Sequence, residues 1–137
     1  EFVSLLSGSS SNVDSWTASV FSQSMASNRI SYHYDFRGPS ISMDTACSSS
    51  LSALHFASLA INEGKCDRAV VCSANLVLVP GVTEALRRAN FLYPTGRCKV
   101  FDASADGYVR SEGVATIILK PIAQSFSDGD RIYSLVL

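Results

Sequence analysis

The chain has 137 residues, 47% of them hydrophobic and 17% charged, which suits one globular domain with a real core. A net charge of −1 favours neither nucleic acid nor an anionic membrane surface, and no apolar run approaches the ~18 residues of a membrane span. Cys47, Cys66, Cys72 and Cys98 form no Cys-x-x-Cys pair and no dense cluster, which argues against a disulfide framework or a metal site and fits a reducing, cytoplasmic compartment.

Phe2 to Leu6 reads as a short buried strand, closed by the turn-forming residues Gly8 to Asn12. Asp14 or Ser15 suits the cap of a helix from about Trp16 to Ile30, in which Val20, Phe21, Met25, Ala26 and Ile30 recur at roughly helical spacing. Tyr32, Tyr34 and Phe36 follow, and Arg37-Gly38-Pro39 breaks the chain. From Ser40 to Thr45, Ile41 and Met43 alternate with Ser40, Ser42 and Asp44, the period of a strand with two unlike faces.

At Cys47 the period changes. Leu51, Leu54, Phe56, Leu59 and Ile61 predict a largely buried helix that Gly64 ends. Ala69-Val70-Val71-Cys72 suits an interior strand, Pro80 opens a helix over Gly81 to Ala89, and Pro94 to Arg97 makes a turn in a loop. Val114 to Leu119 reads as a strand, Pro121 starts a short helix, Asp128-Gly129-Asp130 turns, and Arg131 to Leu137 begins a last strand. Alternating strands and helices predict a layered α/β architecture. The sequence opens and closes inside apolar runs, without an initiator Met or a basic lead, and we therefore expect a fragment without a signal peptide.

The chemistry centres on Cys47. A thiol attacks as thiolate, and an unperturbed pKa of ~8.5 leaves little of that form at neutral pH. A helix N-terminus aims unpaired N–H groups and the positive end of the macrodipole at such a sulfur. The same groups can stabilise an oxyanion on a thioester carbonyl. Ala46, Ser48, Ser49 and Ser50 are small enough to admit a substrate. A packed structural cysteine is the other reading of this position, and it is the one expected for Cys66, Cys72 and Cys98. The histidines are His33 and His55. On a continuous helix His55 would lie about 12 Å along the axis from Cys47, and His33 sits in an aromatic stretch, so neither is expected to act as its base.

Arg37-Gly38-Pro39-Ser40 running into Asp44-Thr45-Ala46-Cys47-Ser48-Ser49-Ser50 closely resembles the active-site segment of β-ketoacyl synthases, those of type I polyketide synthases and animal-type fatty acid synthases. Asn75, Pro80, Gly96-Arg97-Cys98-Lys99, Phe101-Asp102 and Gly107-Tyr108-Val109-Arg110-Ser111-Glu112-Gly113 match the downstream signatures in order. The departures are small: Cys72-Ser73-Ala74, Asn90 to Tyr93, and Ser111.

The resemblance implies a thiolase-like α-β-α-β-α sandwich. Residues 1–137 would form a partial domain, the end of its N-terminal half and the start of its C-terminal half. It implies Cys47 as the acylated nucleophile, and Asp106, Arg110 and Glu112 as supporting residues that could equally be a structural turn network. Acyl groups would arrive on the phosphopantetheine of an acyl carrier protein, with no cofactor bound by this chain, in a cytoplasmic homodimer that binds neither nucleic acid nor membrane. Ser40 to Thr45 would pair across the dimer axis. The family's two catalytic histidines and glycine-rich loop have no counterpart in this sequence, so the isolated chain is expected to be inactive. Two rivals remain. One is a cysteine hydrolase, but Thr45 and Ser49 stand where its nucleophile elbow carries glycines. The other is a ketosynthase-like scaffold for dimerisation or carrier docking.

Overall fold

In the computed structural model, residue 19 and residues 22–93 and 96–137 are described. The expected strand Phe2 to Leu6 and the expected start of the first helix lie outside them. The described elements are helix α1 (Ser24–His33), a single 3₁₀ turn (Ala46–Ser48), α2 (Ser49–Asn62), strand β1 (Ala69–Asn75), α3 (Pro80–Arg88), β2 (Gly113–Leu119) and α4 (Ile122–Ser127). β1 and β2 pair in a two-stranded sheet. From α2 onward helices and strands thus alternate as the sequence implies.

These four helices close alike. The residue after each cap is left-handed: Asp35 (φ 54°), Gly64 (φ 68°), Asn90 (φ 58°) and Gly129 (φ 70°). Beyond α2, Gly64 N–H donates to Ile61 C=O (3.0 Å) and Lys65 N–H to Ala60 C=O (2.9 Å). This is the paired bonding of a Schellman motif, which satisfies carbonyls a helix end leaves open. The same pairs recur at Phe36–Ser31, Phe91–Leu86 and Asp130–Ser125. Glycine, asparagine and aspartate take these places because they tolerate φ > 0 best. Pro80 is the first residue of α3, where a missing N–H costs nothing.

Among the described residues two predicted strands are absent: residues 40–45 and 131–137 carry no ladder pairing there. Alternation suits a segment to the pleat, but a strand exists only against a partner. The polar register of the first segment instead meets α1. Ser40 Oγ donates to Asn28 Oδ1 (2.8 Å) and accepts from Ser31 Oγ (3.1 Å), while Ser42 Oγ donates to Ser27 Oγ (3.0 Å). Ile41, on the other register, is 61% exposed.

The core anticipated from composition is also missing: among the described residues only Val71 and Ser125 are buried. Ile117 and Ile118 are neighbours on β2 and so face opposite sides of the sheet, yet both are exposed, as are Leu51 and Phe56 of α2. A layered fold buries such faces against further layers, and two strands with short helices do not provide them. This also corrects the expected burial of three cysteines. Cys66 is half-buried, and Cys72 and Cys98 are exposed.

Contacts divide the chain into two units, one of Ser22–Ser73 with Ala115–Leu137, the other of Glu1–Phe21 with Ala74–Val114. Within the first, Lys120 closes α4. Its ammonium donates to Asp128 and Asp130, and Arg68 lies 3.5 Å from Asp128. The Lys120 side chain is only 9% exposed, so this network ties the end of β2 to the turn after α4.

Candidate functional site

Cys47 lies in the first unit, in the middle of the 3₁₀ turn, with its thiol exposed. The sequence predicts a helix from Cys47 itself. In the structure α2 begins at Ser49, so the thiol is presented just ahead of the helix, near the positive end of its macrodipole.

The backbone before the thiol is strained. Ala46 has φ 55°, a left-handed conformation that costs an L-residue roughly 1–2 kcal/mol. Neighbouring side chains hold it there. Ala46 N–H donates to Asp44 Oδ1 (2.8 Å). Ser48 Oγ donates to Thr45 C=O (2.8 Å), and Thr45 N–H donates to Ser49 Oγ (2.9 Å). Ser49 Oγ in turn donates to Ala46 C=O (2.6 Å), a carbonyl that also accepts Ser49 N–H. All four backbone polar groups of Thr45 and Ala46 are therefore engaged by side chains. Thr45 Oγ1 adds a contact with Ser52 Oγ (3.0 Å) that reaches the first turn of α2. The Cys47 thiol takes no part in these bonds.

The sequence marks these serines as small, but it does not reveal them as hydrogen-bonding clamps. The available signal is Asp44, two residues before Ala46, in the spacing of an Asx turn.

Neither histidine meets the thiol in any described contact. His33 packs edge-on against Tyr34. His55 packs against Phe56 and lines an open hollow of about 320 Å³ with Leu51, Leu59 and Leu137.

The other predicted site residues fall in the second unit. Glu112 Oε1 accepts Val77 N–H (2.7 Å), Arg110 Nη1 donates to Thr83 Oγ1 (2.6 Å), and Asn75 Nδ2 donates to Ser111 C=O (2.5 Å). The segment 107–113 is thus fastened to the loop after β1 and to α3. Asp106 stands apart, half-exposed and 3.9 Å from Lys99 Nζ. Lys99 lies 4.4 Å from the centre of the Tyr93 ring and donates to Ser104 C=O (3.2 Å). Tyr93 first, and Asp106 more weakly, raise the Lys99 pKa above the usual amine value.

Gly107 makes this packing possible. It has φ 146°, and a Cβ there would meet Tyr93 N at 2.7 Å, Leu92 C at 2.8 Å and Phe91 O at 2.9 Å. That close approach lets Tyr108 N–H donate to Phe91 C=O (2.9 Å) and Tyr93 N–H to Tyr108 C=O (3.0 Å). Nearby, Phe101 is left-handed (φ 59°) and fully exposed, with Asp102 Oδ1 accepting from both Ser104 N–H (2.8 Å) and Ser104 Oγ (2.7 Å).

An exposed cysteine on a strained turn at the head of a helix has the surroundings of a reactive thiol. Comparison with known proteins narrows that reading. The family model described as "Beta-ketoacyl synthase, N-terminal domain" matches residues 3–125. A phenolphthiocerol/phthiocerol polyketide synthase of Mycobacterium tuberculosis is 41% identical over 136 residues, 99% of this chain and 7% of the relative. A hybrid PKS-NRPS synthetase of Macrophomina phaseolina is 46% identical over 121 residues, 88% of this chain and 3% of the relative.

Among solved structures, an oxazolomycin ketosynthase domain from Streptomyces albus superposes with a TM-score of 0.80 at 41% identity, covering 93% of this chain and 22% of that one. The ketosynthase from module 6 of the bacillaene synthase of Bacillus subtilis gives 0.79 at 39% identity, with 82% and 20% covered. The chain belongs to the β-ketoacyl synthase family and has the α/β, thiolase-like fold of the ketosynthases, of which it spans about a fifth. Among the described residues no helix is long and apolar enough to cross a membrane.

Proposed function

We propose that this chain carries the nucleophile of a β-ketoacyl synthase that extends acyl chains by decarboxylative condensation. The Cys47 thiolate attacks the carbonyl of an acyl thioester on the phosphopantetheine arm of an acyl carrier protein. A new C–S bond forms, the old one breaks, and the carrier thiol leaves. A malonyl-type extender then loses carbon dioxide. The resulting enolate attacks the Cys47 thioester, a C–C bond forms, and the thiolate is released with a 3-oxoacyl product on the carrier. Splitting the reaction this way replaces one difficult step with two easier ones.

The observation that carries the reading is the exposed Cys47 thiol on a clamped turn, in a chain that belongs to a family of condensing enzymes. The positive end of the α2 macrodipole suits the developing oxyanion. Asp106, Arg110 and Glu112 act as support, since two of them anchor the 107–113 segment through hydrogen bonds to its surroundings. The match to the family's N-terminal domain over residues 3–125 supports reading most of the chain as part of that half.

The extender's carbonyl is polarised by histidines that this sequence does not supply, so residues 1–137 alone are inactive. The parent works as a cytoplasmic homodimer with a carrier-protein domain as partner. Retention of the nucleophile supports an enzyme over a docking scaffold.

Loading is tested on the complete domain, by incubation with an acyl thioester of phosphopantetheine. Wild type becomes acylated, and Cys47→Ala does not. Acylation of Cys47→Ala at the wild-type rate would overturn the assignment.

A further inference from the structure

We propose that Ser49 is a positioning residue for the Cys47 nucleophile, a role that rests on the reading of Cys47 given above. Four side-chain bonds hold the two residues before the thiol, and the Ser49 hydroxyl makes two of them. It accepts Thr45 N–H (2.9 Å) and donates to Ala46 C=O (2.6 Å). A hydroxyl can do both at once. The two groups it bridges flank the left-handed Ala46, whose own N–H is held from the other side by Asp44 (2.8 Å). Ser49 is also the first residue of the fourteen-residue helix α2. The bridge therefore couples the strained turn, and the sulfur it carries, to the most extended rigid element of its unit.

Without the hydroxyl, Ala46 keeps the Asp44 tie but loses a side-chain tie on its carbonyl, and Thr45 N–H loses its partner. The turn then relaxes toward a right-handed conformation and carries the sulfur with it. Displacing a nucleophile by about 1 Å lowers reaction rates on the order of 100-fold. Ser49 touches no reacting atom in this scheme, so substrate affinity is spared.

The test uses the complete domain with an acyl-phosphopantetheine donor. In Ser49→Ala the loading rate at saturating donor is expected to fall on the order of 10- to 100-fold, with KM within about twofold of wild type. Ser49→Thr, which keeps the hydroxyl, is expected to restore the rate to within about threefold. Iodoacetamide needs access to Cys47 but no donor alignment, so Cys47 alkylation stays within about twofold while half-buried Cys66 stays slow.

Wild-type loading in Ser49→Ala, no rescue by threonine, or newly reactive Cys66 would each overturn the positioning role. The last outcome would assign the loss to unfolding. Acylation that persists in Cys47→Ala would instead overturn the underlying reading of the thiol, and the positioning role with it.

Discussion

The side-chain ties that fix Thr45 and Ala46 ahead of Cys47 span two to seven residues of sequence, whereas the segment 107–113 is fastened by side-chain bonds to partners 27 to 36 residues away. The first region is a local device of hydroxyls and one carboxylate around a single strained alanine. The second depends on a carboxylate, a guanidinium and a carboxamide that reach across to other elements, and on a glycine that lets two backbones touch. A local device can form as soon as its turn forms. A distributed one needs β1, α3 and the 91–93 segment to be in place first, because closing the longer loops costs more entropy.

That contrast can be broken most severely at Gly107. Gly107→Ala puts a Cβ within 3 Å of backbone atoms of Phe91, Leu92 and Tyr93 at a φ that L-residues rarely adopt. A loss of about 2–4 kcal/mol in the stability of the complete domain is expected by denaturant titration, from strained backbone plus displaced pairing. Wild-type stability in this variant would mean that the two backbones do not approach as described.

A smaller effect is expected at Glu112. Glu112→Ala removes the acceptor of Val77 N–H and should cost about 1 kcal/mol in the same titration. Glu112→Gln keeps an acceptor oxygen and should recover most of it. Equal losses in the two variants would point to the charge rather than the bond.

The smallest effect belongs to Glu84 on α3. Its carboxylate bonds Arg87 and Arg88 at 2.7 Å, and these partners, Arg87 first, lower its pKa from 4.5 to about 2. The folded state thus holds this proton less tightly than the unfolded chain. The stabilisation is present above about pH 4.5 and is lost as pH falls toward 2. Glu84→Gln should lower Tm at pH 7 by no more than about 2 °C, since exposed pairs contribute little. The difference should vanish near pH 2 and shrink in molar salt. A pH-independent difference would remove the ion pair from the account.

The same contrast explains what could be read from the sequence. Gly64 as a helix stop and Pro80 as a helix start each rest on residues within a few positions of one another, and the structure bears them out. Asp35 and Asn90 as left-handed helix closures went unread because their side chains only permit that conformation, whereas glycine invites it. Among the described residues the strands expected at 40–45 and 131–137 do not form, because alternation describes a segment's faces and not its partner. Ser40 and Ser42 turned their polar register toward α1, a contact that no period-2 pattern contains.

The site divides in the same way. The small neighbours of Cys47 and the change of period there can be read from the sequence, but the hydrogen bonds of Asp44, Ser48 and Ser49 cannot. Those bonds depend on where a hydroxyl points, which composition leaves open. Lys120 likewise gave no sign of its two aspartate partners, which lie beyond a helix that had first to fold back.

The most direct test of the account is to identify which thiol is acylated. The complete domain, loaded from an acyl-phosphopantetheine donor and digested under acidic conditions that preserve thioesters, can be mapped by mass spectrometry. The acyl group is expected on the peptide containing Cys47, with Cys66, Cys72 and Cys98 unmodified even though two of those three are exposed. An acyl group on any of these three, with Cys47 free, would contradict the account.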